Sequence, residues 1–134
     1  MPSFSTLSDW RLDSCHPDLG RLFREVVKHF DCSVIYGRRT TEEQIALYAK
    51  GRTAPGKIVT YCDGVTKKSN HQAKADGLSW AVDAAPYPID WKDEKRFYRF
   101  AGFVEAHALA MGIHVKWGGD FRSFKDLLHW ELDP

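Results

Sequence analysis

Apolar residues at Leu19, Leu22, Phe23, Val26, Val27 and Phe30 recur at three- and four-residue spacing, which predicts an amphipathic helix with one core-facing stripe. Pro17 suits its first turn, where a missing N–H costs nothing. Residues 31–33 break the pattern, and Val34-Ile35-Tyr36 reads as a short strand closing at Gly37. Thr40 and Glu43 make a capping-box pattern for a second helix that carries Ile45 and Tyr48 and stops near Gly51. Residues 80–85 read as a buried strand closed by Pro86 and Pro88. Phe97, Phe100, Ala101, Val104, Ala108 and Met111 share one stripe of the longest helix, predicted over 93–111 with Gly112 just past its end. Residues 113–117 and 127–132 then read as strands around a Gly118-Gly119 turn. Residues 52–79 carry Gly, Pro, Asp, Ser and Lys with no clean period, and irregular stretches of that length are often functional. Helices and strands do not alternate, so the class is α+β rather than doubly wound.

Length and charge narrow the function classes. At 134 residues, without repeat or linker, the chain predicts one compact domain over 1–134. Nineteen basic against eighteen acidic residues leave a formal +1, which removes the strong positive field expected of a nucleic-acid binder. No apolar run approaches the roughly 20 residues of a membrane helix. The first ten residues lack the basic-then-apolar layout of a signal peptide, so the expectation is a chain that stays in the cytoplasm until something else releases it. Cys15, Cys32 and Cys62 are odd in number and hold no CxxC, which argues against a disulfide framework and a thiolate zinc ribbon. They read as buried or incidental thiols.

Of six histidines, four have ordinary explanations. His16 precedes a helix, His29 sits in a helix's last turn where a cation suits the dipole, His107 lies on a helix flank and His114 alternates on a strand. His71 and His129 differ. His71 stands in the polar segment Ser69-Asn70-His71-Gln72, and His129 interrupts an apolar strand. Asp83, in Ala81-Val82-Asp83-Ala84-Ala85, is a carboxylate among small apolar residues, so it is expected to be buried and to need a cation. Two neutral imidazoles and one carboxylate make a zinc site with an open fourth position for water. Buried His and Asp that only hydrogen-bond to backbone are the alternative, and no HExxH helix decides between the two.

These residues carry a family resemblance. Ser69-Asn70-His71-Gln72, followed by Gly77 and Ala81-Val82-Asp83, resembles the first metal motif of the M15 zinc peptidases, the D,D-carboxypeptidase and D,D-dipeptidase family. Asp126-Leu127-Leu128-His129-Trp130-Glu131-Leu132 resembles its second signature, an acidic residue three before the last histidine ligand. Gly37-Arg38-Arg39-Thr40, Gln44 and Trp117-Gly118-Gly119-Asp120-Phe121 extend the likeness, most of all to phage endolysins of the L-alanyl-D-glutamate peptidase type. The resemblance spans 17–132. One departure is the spacing from His71 to Asp83, twelve residues, which is longer than the family's and reads as an insertion within 72–79. That loop is expected at the mouth of the site, and Asp76 becomes a rival ligand.

The resemblance implies a small antiparallel sheet packed on helices, as in Hedgehog and D,D-peptidase domains. It implies zinc held by His71, Asp83 and His129, with Asp126 as the general base and Arg39 as the oxyanion stabiliser, a role Arg38 contests. Ser69 is implied to bind substrate or its own loop backbone, and Glu131 to support a ligand histidine or Arg39. The implied function is a zinc metallopeptidase that cuts peptidoglycan stem peptides at the L-alanyl-D-glutamate bond during host lysis, as a monomer that reaches the wall through a membrane pore. The alternatives are a D-alanyl-D-alanine carboxypeptidase of the same family and a non-catalytic zinc-binding module on the same fold.

Overall fold

The computed structural model describes residues 1–134. Four helices and four strands follow in the order α1 (Thr6–Asp13), α2 (Pro17–His29), β1 (Cys32–Tyr36), α3 (Thr41–Ala49), β2 (Ala81–Pro86), α4 (Glu94–Met111), β3 (Val115–Trp117) and β4 (His129–Leu132). The strands form one antiparallel sheet in the order β1-β2-β4-β3. The α+β expectation and the small antiparallel sheet are both met.

The core lies between this sheet and α2 with α4. Leu19, Leu22, Phe23, Val26 and Val27 of α2 meet Phe100, Ala101, Val104 and Ala108 of α4 over Val82, Ala84 and Trp130 of the sheet. Strand alternation then fixes the other face. In β2, Val82 and Ala84 point into the core, so Asp83 between them points away from it. In β4, Trp130 is in the core, so His129 and Glu131 point away. Asp83 and His129 are direct cross-strand partners, which brings a carboxylate and an imidazole side by side. A buried His–Asp pair in two apolar strands is thus a product of register.

Helix α1 has no apolar stripe, so periodicity does not predict it. Its polar residues do the work. Strand β1 is an edge strand, and its open side is covered by α1: the Val34 N–H donates to Ser8 Oγ at 3.0 Å and Arg11 Nη1 donates to the Val34 carbonyl at 3.0 Å. Gly37 follows β1 where a Cβ would collide with the Arg11 carbonyl and the Ser14 hydroxyl, so only glycine lets the chain leave the strand beneath α1.

Three other expectations shift. The final strand starts at His129 and not at 127, because residues 127–128 form a turn. Gly118–Asp120 is a single 3-10 turn and not a bare hairpin bend. In α3 the capping box of Thr40 and Glu43 forms in full, yet the fully buried residue is Gln44, while Ile45 is exposed.

Candidate active site

The face that Asp83 and His129 share is completed by the irregular segment before β2. His71 arrives there because its backbone is held on both sides. The Arg39 N–H donates to the His71 carbonyl at 2.9 Å, and the Trp80 N–H donates to the Asn70 carbonyl at 3.0 Å. His71, Asp83 and His129 are all buried. Their nearest polar atoms form a triangle: His71 Nε2 to Asp83 Oδ1 3.1 Å, His129 Nδ1 to Asp83 Oδ1 3.3 Å, and His71 Nε2 to His129 Nδ1 3.2 Å. One ligand atom from each residue lies within 4.8 Å of the others.

Both imidazoles are held in one tautomer by their outer nitrogens. His71 Nδ1 meets the Gly37 carbonyl at 2.8 Å, so it must donate, which leaves Nε2 as a lone pair. His129 Nε2 donates to Glu131 Oε1 at 2.7 Å, which leaves Nδ1 as the inward atom. Glu131 is in turn held by Asn70 Nδ2 at 2.8 Å. Two lone pairs and a carboxylate oxygen therefore converge, an arrangement that calls for positive charge at its centre. The His129 pKa reflects the same demand: burial would lower it, but hydrogen bonds with Asp83 and Glu131 outweigh that and push it up to about 9. Burial would raise the Asp83 carboxyl, and the two imidazoles hold it well below the usual range instead.

The donor set fits zinc. Tetrahedral zinc with N and O ligands at roughly 2.0–2.1 Å has ligand atoms about 3.3 Å apart, close to all three edges of the triangle. Each histidine also has the outer hydrogen-bond partner typical of a metal ligand.

The triangle opens into a cleft of about 370 Å³ lined by Arg39, Ser69, Asp126 and Glu131 with His71 and His129, and walled by Tyr61, Phe121 and Phe124. Tyr61 and Phe124 meet edge to face with centroids 5.5 Å apart, and Phe121 lies over His129 at 5.7 Å. Phe121 belongs to a stretch already singled out in the sequence. Tyr61 and Phe124 sit in aperiodic loops and left no signal.

Asp126 reaches this cleft through the turn at 127–128, which removes the strict alternation that would have sent it to the opposite face from His129. Its N–H donates to the Gly118 carbonyl at 2.9 Å, and a Cβ on Gly118 would collide with the Asp126 carbonyl and lie 2.9 Å from His129 Cβ. The close approach therefore needs glycine. The Asp126 carboxylate accepts only the Leu128 N–H, at 3.3 Å, and forms no ion pair; burial and the charge of Asp83 hold its pKa above the ordinary value.

Arg39, and not Arg38, joins the cluster. Arg39 Nη2 donates to Asp83 Oδ2 at 3.3 Å and Nη1 to Gln44 Oε1 at 3.1 Å, with its Nε–H buried and without an acceptor. Gln44 donates on to the Cys62 carbonyl at 2.9 Å, fixing the guanidinium to the cleft wall. Arg38 instead donates to the Gly77 carbonyl at 3.0 Å. Ser69 Oγ accepts the His71 N–H at 3.2 Å, so it orders the ligand's own turn while also lining the cleft. Glu131 supports His129 and not Arg39.

The expectation of a 72–79 loop at the mouth of the site is corrected. None of those residues lines the cleft; Gln72, Ala73 and Gly77 border an adjoining depression with Arg38, which shares Arg39 and Lys68 with the cleft. Asp76 lies outside the triangle, where its carboxylate accepts the Leu78 N–H and the Trp80 indole N–H, each at 3.0 Å. Asp76→Ala is accordingly expected to leave zinc content unchanged and to lower stability only slightly, through loss of these two hydrogen bonds. Loss of zinc in that variant, by elemental analysis, would move the ligand role away from Asp83.

The chain matches the family model described as phage L-alanyl-D-glutamate peptidase over residues 2–131. It is 32% identical over 109 residues to the peptidoglycan L-alanyl-D-glutamate endopeptidase CwlK of Bacillus subtilis (strain 168), an alignment that covers 80% of this chain and 64% of that relative. Its fold is similar to the crystal structure of the Serratia marcescens L-Ala D-Glu endopeptidase ChiX, with a TM-score of 0.73 and 26% identity, over 98% of this chain and 90% of that one.

Proposed function

The chain belongs to the phage L-alanyl-D-glutamate peptidase family, and from that premise we propose that it is a zinc-dependent hydrolase of peptidoglycan stem peptides, cutting between L-alanine and D-glutamate. The observation that carries the reading is the triangle of two imidazole lone pairs and one carboxylate beside a cleft that holds an unpaired Asp126. His71, Asp83 and His129 would hold the metal. When bound it supplies Lewis acidity, polarising a carbonyl and making water a stronger acid.

The remaining steps fall to the protein's own side chains. Asp126 takes a proton from the attacking water and returns it to the departing amide nitrogen, so that the peptide C–N bond breaks with a neutral amine. Arg39 keeps N–H donors beside the cleft for the negative charge that grows on the carbonyl oxygen. Asp83 and Gln44 hold the guanidinium still, so little reorganisation is needed during the reaction. Asn70 and Glu131 keep His129 in the tautomer with Nδ1 unprotonated. Tyr61, Phe121 and Phe124 offer apolar surface to the peptide.

In the cell, this activity suits a monomeric lysis protein that reaches the wall through a pore made by another protein; no helix of the chain is long and apolar enough to cross a membrane. Digesting purified peptidoglycan and identifying the new termini by mass spectrometry tests the proposal. New amino termini on D-glutamate and new carboxyl termini on L-alanine are expected. Release of terminal D-alanine alone would favour the carboxypeptidase alternative.

A further inference from the structure

Two cations of the cleft have no part in the chemistry above. Arg39 is committed to Asp83 and Gln44, but Lys67 and Lys68 line the same cleft, are exposed and enter no ion pair. Of the other lysines, Lys28 pairs with Glu25 and Lys116 with Asp133. The backbone that carries the two lysines is fixed on both sides. Before them, Asp63 Oδ1 accepts the N–H groups of Val65, Thr66 and Lys67 at 2.8, 2.8 and 3.0 Å, and its other oxygen takes the Thr66 hydroxyl. After them, the Ser69 N–H donates to Gln72 Oε1 at 2.9 Å. Lys67 and Lys68 precede His71 by four and three residues and line the cleft into which the metal triangle opens. Lys68 also borders the depression that holds Arg38, which extends the positive rim.

The substrate class has a charge to match. In a stem peptide, D-glutamate continues the chain through its side-chain carboxyl, so its α-carboxylate stays free on the carbon that bears the departing nitrogen. Any peptide placed for cleavage brings that carboxylate into the cleft beside the like-charged Asp126. Left unpaired it is repelled and partly desolvated, whereas two lysines on an ordered turn offset both costs. We infer that Lys67 and Lys68 form a subsite for the free α-carboxylate on the leaving-amine side of the scissile bond, and so select D-glutamate over its α-amidated form. The inference rests on the peptidase reading above.

The test separates the two. Zinc-loaded protein is titrated calorimetrically with a γ-D-glutamyl peptide that has a free α-carboxylate, and with the same peptide as its α-amide. Wild-type protein is expected to bind the carboxylate at least about tenfold more tightly, as a charge-assisted contact allows. Lys67→Gln with Lys68→Gln should erase that preference and leave amide binding within about twofold, while Lys67→Arg with Lys68→Arg should keep it, since charge alone is restored. Unchanged circular dichroism and zinc content show that the variants are folded. A wild type that binds both peptides equally, or neither, overturns the subsite, as does a double glutamine variant that keeps the preference. Equal displacement of the peptide by inorganic phosphate marks an unselective cationic rim and also overturns it. Turnover is read apart from binding. If neither stem peptide is cut while the binding preference holds, the hydrolase reading fails and the subsite stands.

Discussion

Asp126→Asn is expected to leave fold and zinc content intact and to cut peptidoglycan hydrolysis by at least roughly 10²–10⁴-fold, the range for loss of a general acid–base group. The isostere keeps the side-chain oxygen that accepts the Leu128 N–H, and the backbone bond to Gly118 does not involve the side chain at all. What it removes is the ability to carry a proton. The rival base is Glu131, yet both its oxygens are engaged, one by His129 and one by Asn70. Steady-state rates on purified peptidoglycan at matched zinc content decide the matter. Activity within a few-fold of wild type would transfer the proton role to another group, Glu131 first.

Metal removal should be equally severe. About one zinc per chain is expected, with hydrolysis abolished by a chelator and restored by added zinc. Active protein free of transition metal, by elemental analysis, would refute the mechanism. Substitution of each ligand by alanine should lose the metal, but the stability costs should differ. Asp83 contacts both imidazoles and also Arg39, whose side chain is 11% exposed. Asp83→Ala strands that buried guanidinium and should cost about 3–5 kcal/mol by denaturant unfolding, as breaking a buried ion pair does. His129→Ala leaves Asp83 still facing Arg39 and His71, so its cost in metal-free protein should be smaller.

Much of this was legible in the chain because it follows from period and burial. The 3.6-residue stripes of α2 and α4 mark the two helices that cover the sheet, and Asp83 between small apolar neighbours marks a carboxylate that needs partners. Helix α1 was illegible for the opposite reason: its contacts to β1 run through Ser8 and Arg11, and hydrogen bonds to an edge strand leave no hydrophobic period. Ile45 misled in the same way, since α3 buries an amide at Gln44 and exposes the isoleucine. The site's weakest link in sequence was Asp126. Strand alternation alone would have put it behind the sheet, and only the turn at 127–128, seated on Gly118, brings it round.

The position of residues 73–78 has a consequence for protein engineering. This exposed turn, closed by the Lys74 N–H to Leu78 carbonyl bond at 3.0 Å, interrupts the path from His71 to Asp83 without touching the cleft. Lengthening a surface loop costs little, about 0.6 kcal/mol for each doubling. Its tip at Ala75 is therefore a splice point: a short recognition peptide or a labelling tag inserted there would ride on the enzyme's outside, while β2 keeps Asp83 in register and the bonds from Arg39 and Trp80 keep the backbone around His71 in place.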